Sequence, residues 1–343
     1  MTRRSEITID LGALRRNVAR LREAAAPADL WAVVKADAYG HGMVDCARAA
    51  LEAGATTLCV VTAQEGEALR PSFPDARVVV MGPLAAGEDE VARAARLEVA
   101  VSSPDVPEGV PLHLKIDTGM GRWGMSPDDA RLVPREPVVG LMSHLATADE
   151  PDLTYAHEQI ERFAALAAEF GGLQAHLANS AATLALPEAR FDAVRCGIAL
   201  YGLSPFGDDP GDHGLAPVLS WRSYVAVAKD LSAGESVGYG RRFVAERPTR
   251  VGIVPVGYAD GFRRGLIGAR ILVDGARREV VGTISMDALA VELEDEDVGA
   301  PVTLIGDSVL AEEHARRLGT ITHEITTGIH SDPLRTDRRV VDG

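Results

Sequence analysis

The sequence predicts a (β/α)8 barrel followed by a mostly β domain. Its first two-thirds alternates eight short apolar runs with amphipathic stretches, the pattern of βα units that close on themselves. From about Ala216 the chain changes to short alternating segments between turn signals, as in a β-rich domain. Polar residues interrupt the first pattern where its strands end, the face on which such barrels carry chemistry. The expected boundaries are 12–216 for the barrel and 217–343 for the β domain, which also takes a strand from 1–11.

In order, the barrel strands are expected at 31–35, 57–62, 77–81, 97–101, 112–117, 138–144, 173–178 and 194–197. Helical periodicity fills most of the gaps. The stretch 43–54 stops at Gly54, and 158–170 runs into Gly171-Gly172, both ordinary C-terminal stops. One unit is cut short, because Pro104, Pro107 and Pro111 leave no room for a helix between the fourth and fifth strands. In the β domain, strands are expected at 225–228, 249–255, 270–273 before Asp274-Gly275, 280–284, 288–293 and 301–305.

Composition narrows the function. A net charge of −15 with no basic cluster argues against neutralising phosphates along a nucleic acid. No apolar run approaches the roughly 20 residues that span a bilayer, and the first ten residues contain no signal-peptide core, so a cytoplasmic protein is expected. Cys46, Cys59 and Cys196 are widely spaced and form no C-x-x-C pair, which indicates neither a disulfide framework nor a zinc site. Lysine is the informative residue. Of 35 basic residues only Lys35, Lys115 and Lys229 are lysines, and the first two fall at barrel strand ends. Arginine cannot lose its proton in a protein, whereas a lysine amine can, and it can then act as a nucleophile. Lys35, Lys115, Asp117, His144, Asn179, Ser180 and Arg195 all fall at such ends.

At these positions the chain resembles the bacterial alanine racemases, fold-type III enzymes that use pyridoxal 5′-phosphate (PLP). The resemblance rests on Val33-Val-Lys-Ala-Asp-Ala-Tyr-Gly-His-Gly42, Leu114-Lys-Ile-Asp-Thr-Gly-Met-Gly-Arg-Trp-Gly124, Ser143-His-Leu-Ala-Thr-Ala-Asp-Glu150 and Ala178-Asn-Ser-Ala-Ala182. It continues in Val194-Arg-Cys-Gly-Ile-Ala-Leu-Tyr-Gly202, Val237-Gly-Tyr-Gly240, Gly257-Tyr-Ala-Asp-Gly261 and Ile284-Ser-Met-Asp287. Each motif alone is weak, but in this order and over nearly the whole length they are specific.

The resemblance implies that Lys35 anchors PLP and serves as one of two bases in alanine racemisation, which supplies D-alanine for peptidoglycan. It implies that Tyr39, Ser180 and the amides of Gly197 and Ile198 hold the cofactor phosphate, with Asn179 supporting that loop. Arg195 would face the pyridine nitrogen, donating a hydrogen bond without giving up a proton, and His144 would back it. Arg122 would meet the cofactor phenolic oxygen and the substrate carboxylate. Tyr239, the second base, and Tyr258, Met286 and Asp287 would enter from the partner subunit of a homodimer. Lys115 is expected to be N6-carboxylated, since a bare ammonium near Arg122 would be repelled; pairing with Asp117 is the alternative. A racemase of serine or another small amino acid, or a non-catalytic PLP-binding protein, remains open.

Three features depart from the family pattern: the shortened fourth unit, Ser285 where cysteine is frequent, and the segment 326–335, which lacks the usual Arg-Val-Pro-Arg run. Ser331 falls there, near the place where some members have a phosphate-contacting tyrosine.

Overall fold

A computed structural model describes residues 3–306 and 308–343; Met1 and Thr2, which open the expected N-terminal strand, lie outside them. The chain divides into two compact units. One comprises residues 14–206 and 211–216, the other the chain up to residue 13 with 207–210 and 217–343. β1 (Ser5–Asp10) belongs to the second unit.

The first unit is the predicted barrel. Its parallel strands are β2 (Asp29–Val33), β3 (Thr57–Val60), β4 (Val78–Val80), β5 (Glu98–Val101), β6 (Leu112–Lys115), β7 (Val138–Met142), β8 (Gln174–His176) and β9 (Ala193–Cys196), and β9 closes the ring by pairing with β2. Runs such as Val78-Val-Val80 are buried throughout, as strands covered on both faces must be. No helix forms between β5 and β6, as the prolines there predict.

One layer of the barrel interior is polar. Trp31 on β2, Arg77 just before β4, His113 on β6 and His176 on β8 come from alternate strands, the usual source of an interior layer. The Trp31 ring lies 4.4 Å from His176 and 5.8 Å from His113, and the Arg77 guanidinium stacks 4.9 Å from the same indole.

The second unit contains β10 (Leu219–Tyr224), β11 (Val227–Leu231), β12 (Ser236–Val237), β13 (Phe243–Val244), β14 (Thr249–Val254), β15 (Arg270–Val273), β16 (Ala276–Val281), β17 (Leu289–Leu293), β18 (Pro301–Ile305) and β19 (Thr336–Val341). Nine strands form one sheet in the order β11-β14-β17-β16-β15-β18-β10-β1-β19, and β12 pairs with β13 apart from it. Two expected strands are corrected. The stretch expected at 225–228 straddles a break, because Val225 donates to Ala300 and Ala226 to Ile253 as the chain passes from β18 to β14 as its neighbour. The strand expected at 280–284 begins earlier and stops at Val281, where Gly282 turns with φ +67°. Its early part was masked by Arg277 and Arg278, long side chains paired with Glu313 and with Glu294 and Glu296. Among the described residues no helix is long and apolar enough to cross a membrane.

Candidate active site

The segment after β2 is strained. Lys35 does not close the strand; it opens the turn Lys35–Gly40, in which Ala36, Asp37, Ala38 and Tyr39 have φ of 51°, 50°, 54° and 56°. This is one turn of left-handed helix made of side-chain-bearing residues, at a cost of about 1–2 kcal/mol each. Surrounding hydrogen bonds hold it. Glu65 accepts from the Ala36 N–H at 2.7 Å with one carboxylate oxygen and from Val61 and Thr62 with the other, while Asp37 accepts from Met43 at 2.7 Å. His41 Nδ1 lies 3.0 and 3.1 Å from the carbonyls of Ala38 and Tyr39. Strain maintained in this way is typical of functional sites.

Four cations share this end of the barrel: Lys35, Lys115, Arg122 and Arg195. None of them makes an ion pair with a carboxylate among the described residues. Burial lowers the Lys35 pKa, and the Arg122 charge lowers it further against a smaller opposing pull from Glu65. Burial, then Arg195, Arg122 and Lys35, bring Lys115 down to about 7, so much of this amine is neutral at physiological pH. The alternative pairing with Asp117 does not form. The Asp117 carboxylate accepts from the Gly119 and Gly121 amides instead, and Lys115 Nζ donates to the Met81 carbonyl at 3.1 Å. Lys115 Nζ and the Arg122 guanidinium lie 5.1 and 5.3 Å from the same Trp123 ring.

Arg195 is 3 % exposed, and its pKa, lowered to about 10 by burial, keeps it charged at neutral pH. One Nη donates to the His176 ring at 2.8 Å and to the His176 carbonyl; the other donates to the carbonyls of Ser143 and Leu177 and reaches the His144 ring at 3.3 Å. Nε–H is left without an acceptor among the described residues. Burial and the surrounding cations, Arg195 first, hold His144 neutral.

After β8 the helix Ser180–Ala185 is capped by Asn179, whose side chain accepts from Ala182 at 3.0 Å. Ser180 is therefore not the cap. Its hydroxyl instead accepts from the Gly197 amide at 3.0 Å and the Ala199 amide at 3.3 Å, beside Ile198. A Cβ at position 197 would lie 2.3 Å from the Tyr39 hydroxyl, so only glycine allows that approach. Two hydroxyls and a run of backbone amides thus converge, a donor set suited to a phosphate, while the spare Arg195 donor suits a ring nitrogen. These residues fit PLP.

Tyr239, Tyr258, Met286 and Asp287 belong to the other unit. Three of them are large apolar groups in solvent, Tyr239 being 74 % and Met286 53 % exposed. Tyr239 borders a groove of about 400 Å³ lined by Val237, Thr283, Ser285 and Leu289. The loops carrying the other three are fastened together: Tyr258 donates to the Ser285 carbonyl and Ala259 to that of Met286. Arg335 bridges the buried Asp260 at 2.6 Å and Asp287 at 2.9 Å. Glu65, His176, Asp260 and Arg335 escaped the sequence reading. The Thr62-x-x-Glu65 capping box and the aspartate of Gly-Tyr-Ala-Asp-Gly were available signals.

Fold and site define a class, barrel enzymes with an attached mostly β domain and a lysine of lowered pKa at the barrel mouth. The family follows from comparison. The chain matches the models for the alanine racemase N-terminal domain over residues 9–205 and C-terminal domain over 218–337. It is 43% identical to the alanine racemase of Streptomyces coelicolor, covering 96% of this chain and 94% of that one, and 38% identical to that of Symbiobacterium thermophilum, covering 94% and 93%. It superposes on the Streptomyces lavendulae alanine racemase with a TM-score of 0.92 at 36% identity, covering 100% and 98%. Against the Bartonella henselae alanine racemase with covalently bound pyridoxal phosphate the TM-score is 0.90 at 28% identity, covering 98% and 99%. The chain belongs to the alanine racemase family, whose members are PLP-dependent.

Glu65 should be the clamp of the strained turn. Glu65→Ala removes three charge-assisted bonds to backbone amides and is expected to lower the unfolding free energy by about 2–3 kcal/mol in a denaturant titration. It also removes the charge that raises the Lys35 pKa, so the pH profile of Lys35 reductive methylation should move to lower pH. A shift upward would contradict this reading of the local field.

Proposed function

We propose that the chain interconverts L-alanine and D-alanine with PLP by a two-base mechanism, supplying D-alanine for peptidoglycan. One observation carries this reading: the Lys35 amine, lowered in pKa, stands on a rigid turn whose Tyr39 hydroxyl meets the Ser180–Gly197 donor cluster. PLP, when bound, supplies the electron withdrawal that makes the substrate Cα–H acidic. The protein's residues do the rest. Lys35 holds the cofactor and moves the Cα proton on the D face. Tyr39, Ser180, Gly197 and Ile198 hold the phosphate, and Asn179 keeps their helix end in place. Arg195 would offer its spare N–H to the pyridine nitrogen while retaining its own proton. His144 stays neutral and helps fix Arg195.

Arg122 takes the phenolic oxygen and the substrate carboxylate. The opposite face needs a base that Lys35 cannot supply, and Tyr239 from a second subunit fills that role. Tyr258 narrows the entrance, the Met286 amide meets the carboxylate, and Asp287, clamped by Arg335, sets that loop. The exposure of Tyr239, Tyr258 and Met286 supports a homodimer that covers them. A PLP-binding protein without turnover would have no use for this second unit.

Lys115 carries a carboxyl group on Nζ in this reading. Its neutral amine is the form that reacts with CO₂, and the resulting anion would sit beside Arg122 over Trp123, turning repulsion into an ion pair.

The two faces should separate in mutants. Lys35→Ala should abolish racemisation in both directions and remove the borohydride-trappable cofactor. Tyr239→Phe should lose Cα exchange with solvent deuterium for L-alanine while D-alanine still exchanges in part. Equal loss on both faces, with dimer and cofactor intact, would rule out the assignment.

Shared sites make activity depend on assembly. Specific activity should fall on dilution through the dimer dissociation constant, and mixed dimers of Lys35→Ala and Tyr239→Phe chains should regain one working site. If mixed dimers form without activity, the sites are not shared.

For the carbamate, ¹³CO₂ should give a carbamate carbon resonance that Lys115→Ala lacks. That variant should also lose most activity and recover part of it with acetate. A bare ammonium in well-ordered density near neutral pH would overturn the modification.

A further inference from the structure

Below Arg195 a chain of hydrogen bonds crosses the barrel interior. Arg195 Nη1 lies 2.8 Å from His176 Nδ1, His176 Nε2 lies 2.9 Å from His113 Nδ1, and His113 Nε2 lies 2.7 Å from Glu98 Oε2. Both histidines are fully buried. Arg77 holds the far end, donating to both Glu98 oxygens at 2.7 and 2.8 Å. Burial pushes the Glu98 carboxyl up, but hydrogen bonds from His113 and Arg77 outweigh it and bring it to about 2, so it is ionised. Burial keeps His113 and His176 neutral.

The two ends fix every proton between them. A carboxylate only accepts and a guanidinium only donates. His113 must therefore carry its proton on Nε2, toward Glu98, which leaves Nδ1 as an acceptor. His176 must then donate from Nε2, and its Nδ1 must accept from Arg195. Space is reserved for this path: Gly140, the register partner of His113 on β7, has no Cβ, and one there would lie 2.0 Å from His113 Nδ1.

We propose that Glu98 is a positioning residue for the reaction, acting through His113 and His176 to make His176 an obligate acceptor that holds the Arg195 guanidinium with Nε–H free for the ring nitrogen of the cofactor. This deepens the function proposed above and rests on it. Without Glu98, nothing at the far end keeps the His113 proton on Nε2; with that proton on Nδ1, His176 Nε2 becomes the acceptor and its own proton moves to Nδ1, a donor facing the Arg195 donor. Arg195 would then leave that contact and its Nε–H would lose its aim. A carboxylate serving only to pair with Arg77 would leave the tautomer of His176 unaffected.

Ring-¹⁵N histidine NMR of the holoenzyme tests this, with signals assigned by single-histidine substitution. His113 and His176 are expected as neutral Nε2–H tautomers. Glu98→Leu should populate the Nδ1–H form of His176 and lower kcat about tenfold with little change in KM, the effect of one lost charge-assisted hydrogen bond. A wild-type His176 protonated on Nδ1 overturns the proposal without any variant having to fold. An unchanged His176 pattern or an unchanged kcat in Glu98→Leu overturns it as well. Absence of racemase activity in the wild-type protein, with the expected tautomers present, would instead count against the reaction and not against the relay.

Discussion

Positive charge brought together without a carboxylate paired to it is the condition on which the barrel mouth depends. The chain as a whole carries −15, yet Lys35, Lys115, Arg122 and Arg195 gather where their fields are poorly screened. Such a cluster survives by three means. Its lysines have their pKa values pushed down, His144 and His176 stay neutral, and its buried guanidinium donates to carbonyls and imidazole nitrogens rather than to an anion. Each response is chemically useful. A lysine that releases its proton can become a nucleophile, and cations lacking internal partners favour a ligand that brings a phosphate and a carboxylate. A carboxylate inside the cluster would quench this field, which accounts for Asp117 being occupied with the glycine amides of its own turn.

Strain at the Lys35 turn follows from the same geometry. A right-handed continuation of β2 would send Tyr39 along a different path from the one that reaches Gly197. Four left-handed residues cost about 4–8 kcal/mol, comparable to the whole stability of a domain, so the turn exists only while the barrel enforces it. Glu65, His41 and Asp37 spread that cost over hydrogen bonds reaching from three directions.

What the sequence reveals divides along the same line. Eight barrel strands, the missing helix before β6 and the two-part organisation were legible, because apolar periodicity and proline act locally. Lysine scarcity singled out Lys35 and Lys115 for the same reason. The left-handed run was not legible, since Ala-Asp-Ala-Tyr prefers ordinary conformations and is held by residues up to 29 positions away. Asn179 and Ser180 are both good cap residues, so local rules could not choose between them; only the position of the Gly197 and Ala199 amides assigns the cap to Asn179 and frees Ser180. Arg335 and Asp260 are 75 residues apart, and no pattern within one segment couples them.

The interior histidines show why the two barrel faces are not independent. Residues at the bottom of such barrels are usually read as serving stability, with chemistry confined to the top. An apolar interior would permit that separation, but a guanidinium buried near the top must hand its hydrogen bonds inward, and each neutral acceptor it uses needs a donor or acceptor of its own. The demand passes from His176 to His113 and ends only at a group of fixed polarity, Glu98, placed where Arg77 can neutralise it. Polarity therefore runs the depth of the barrel, and the residue that terminates it lies far from the chemistry whose geometry it helps to set.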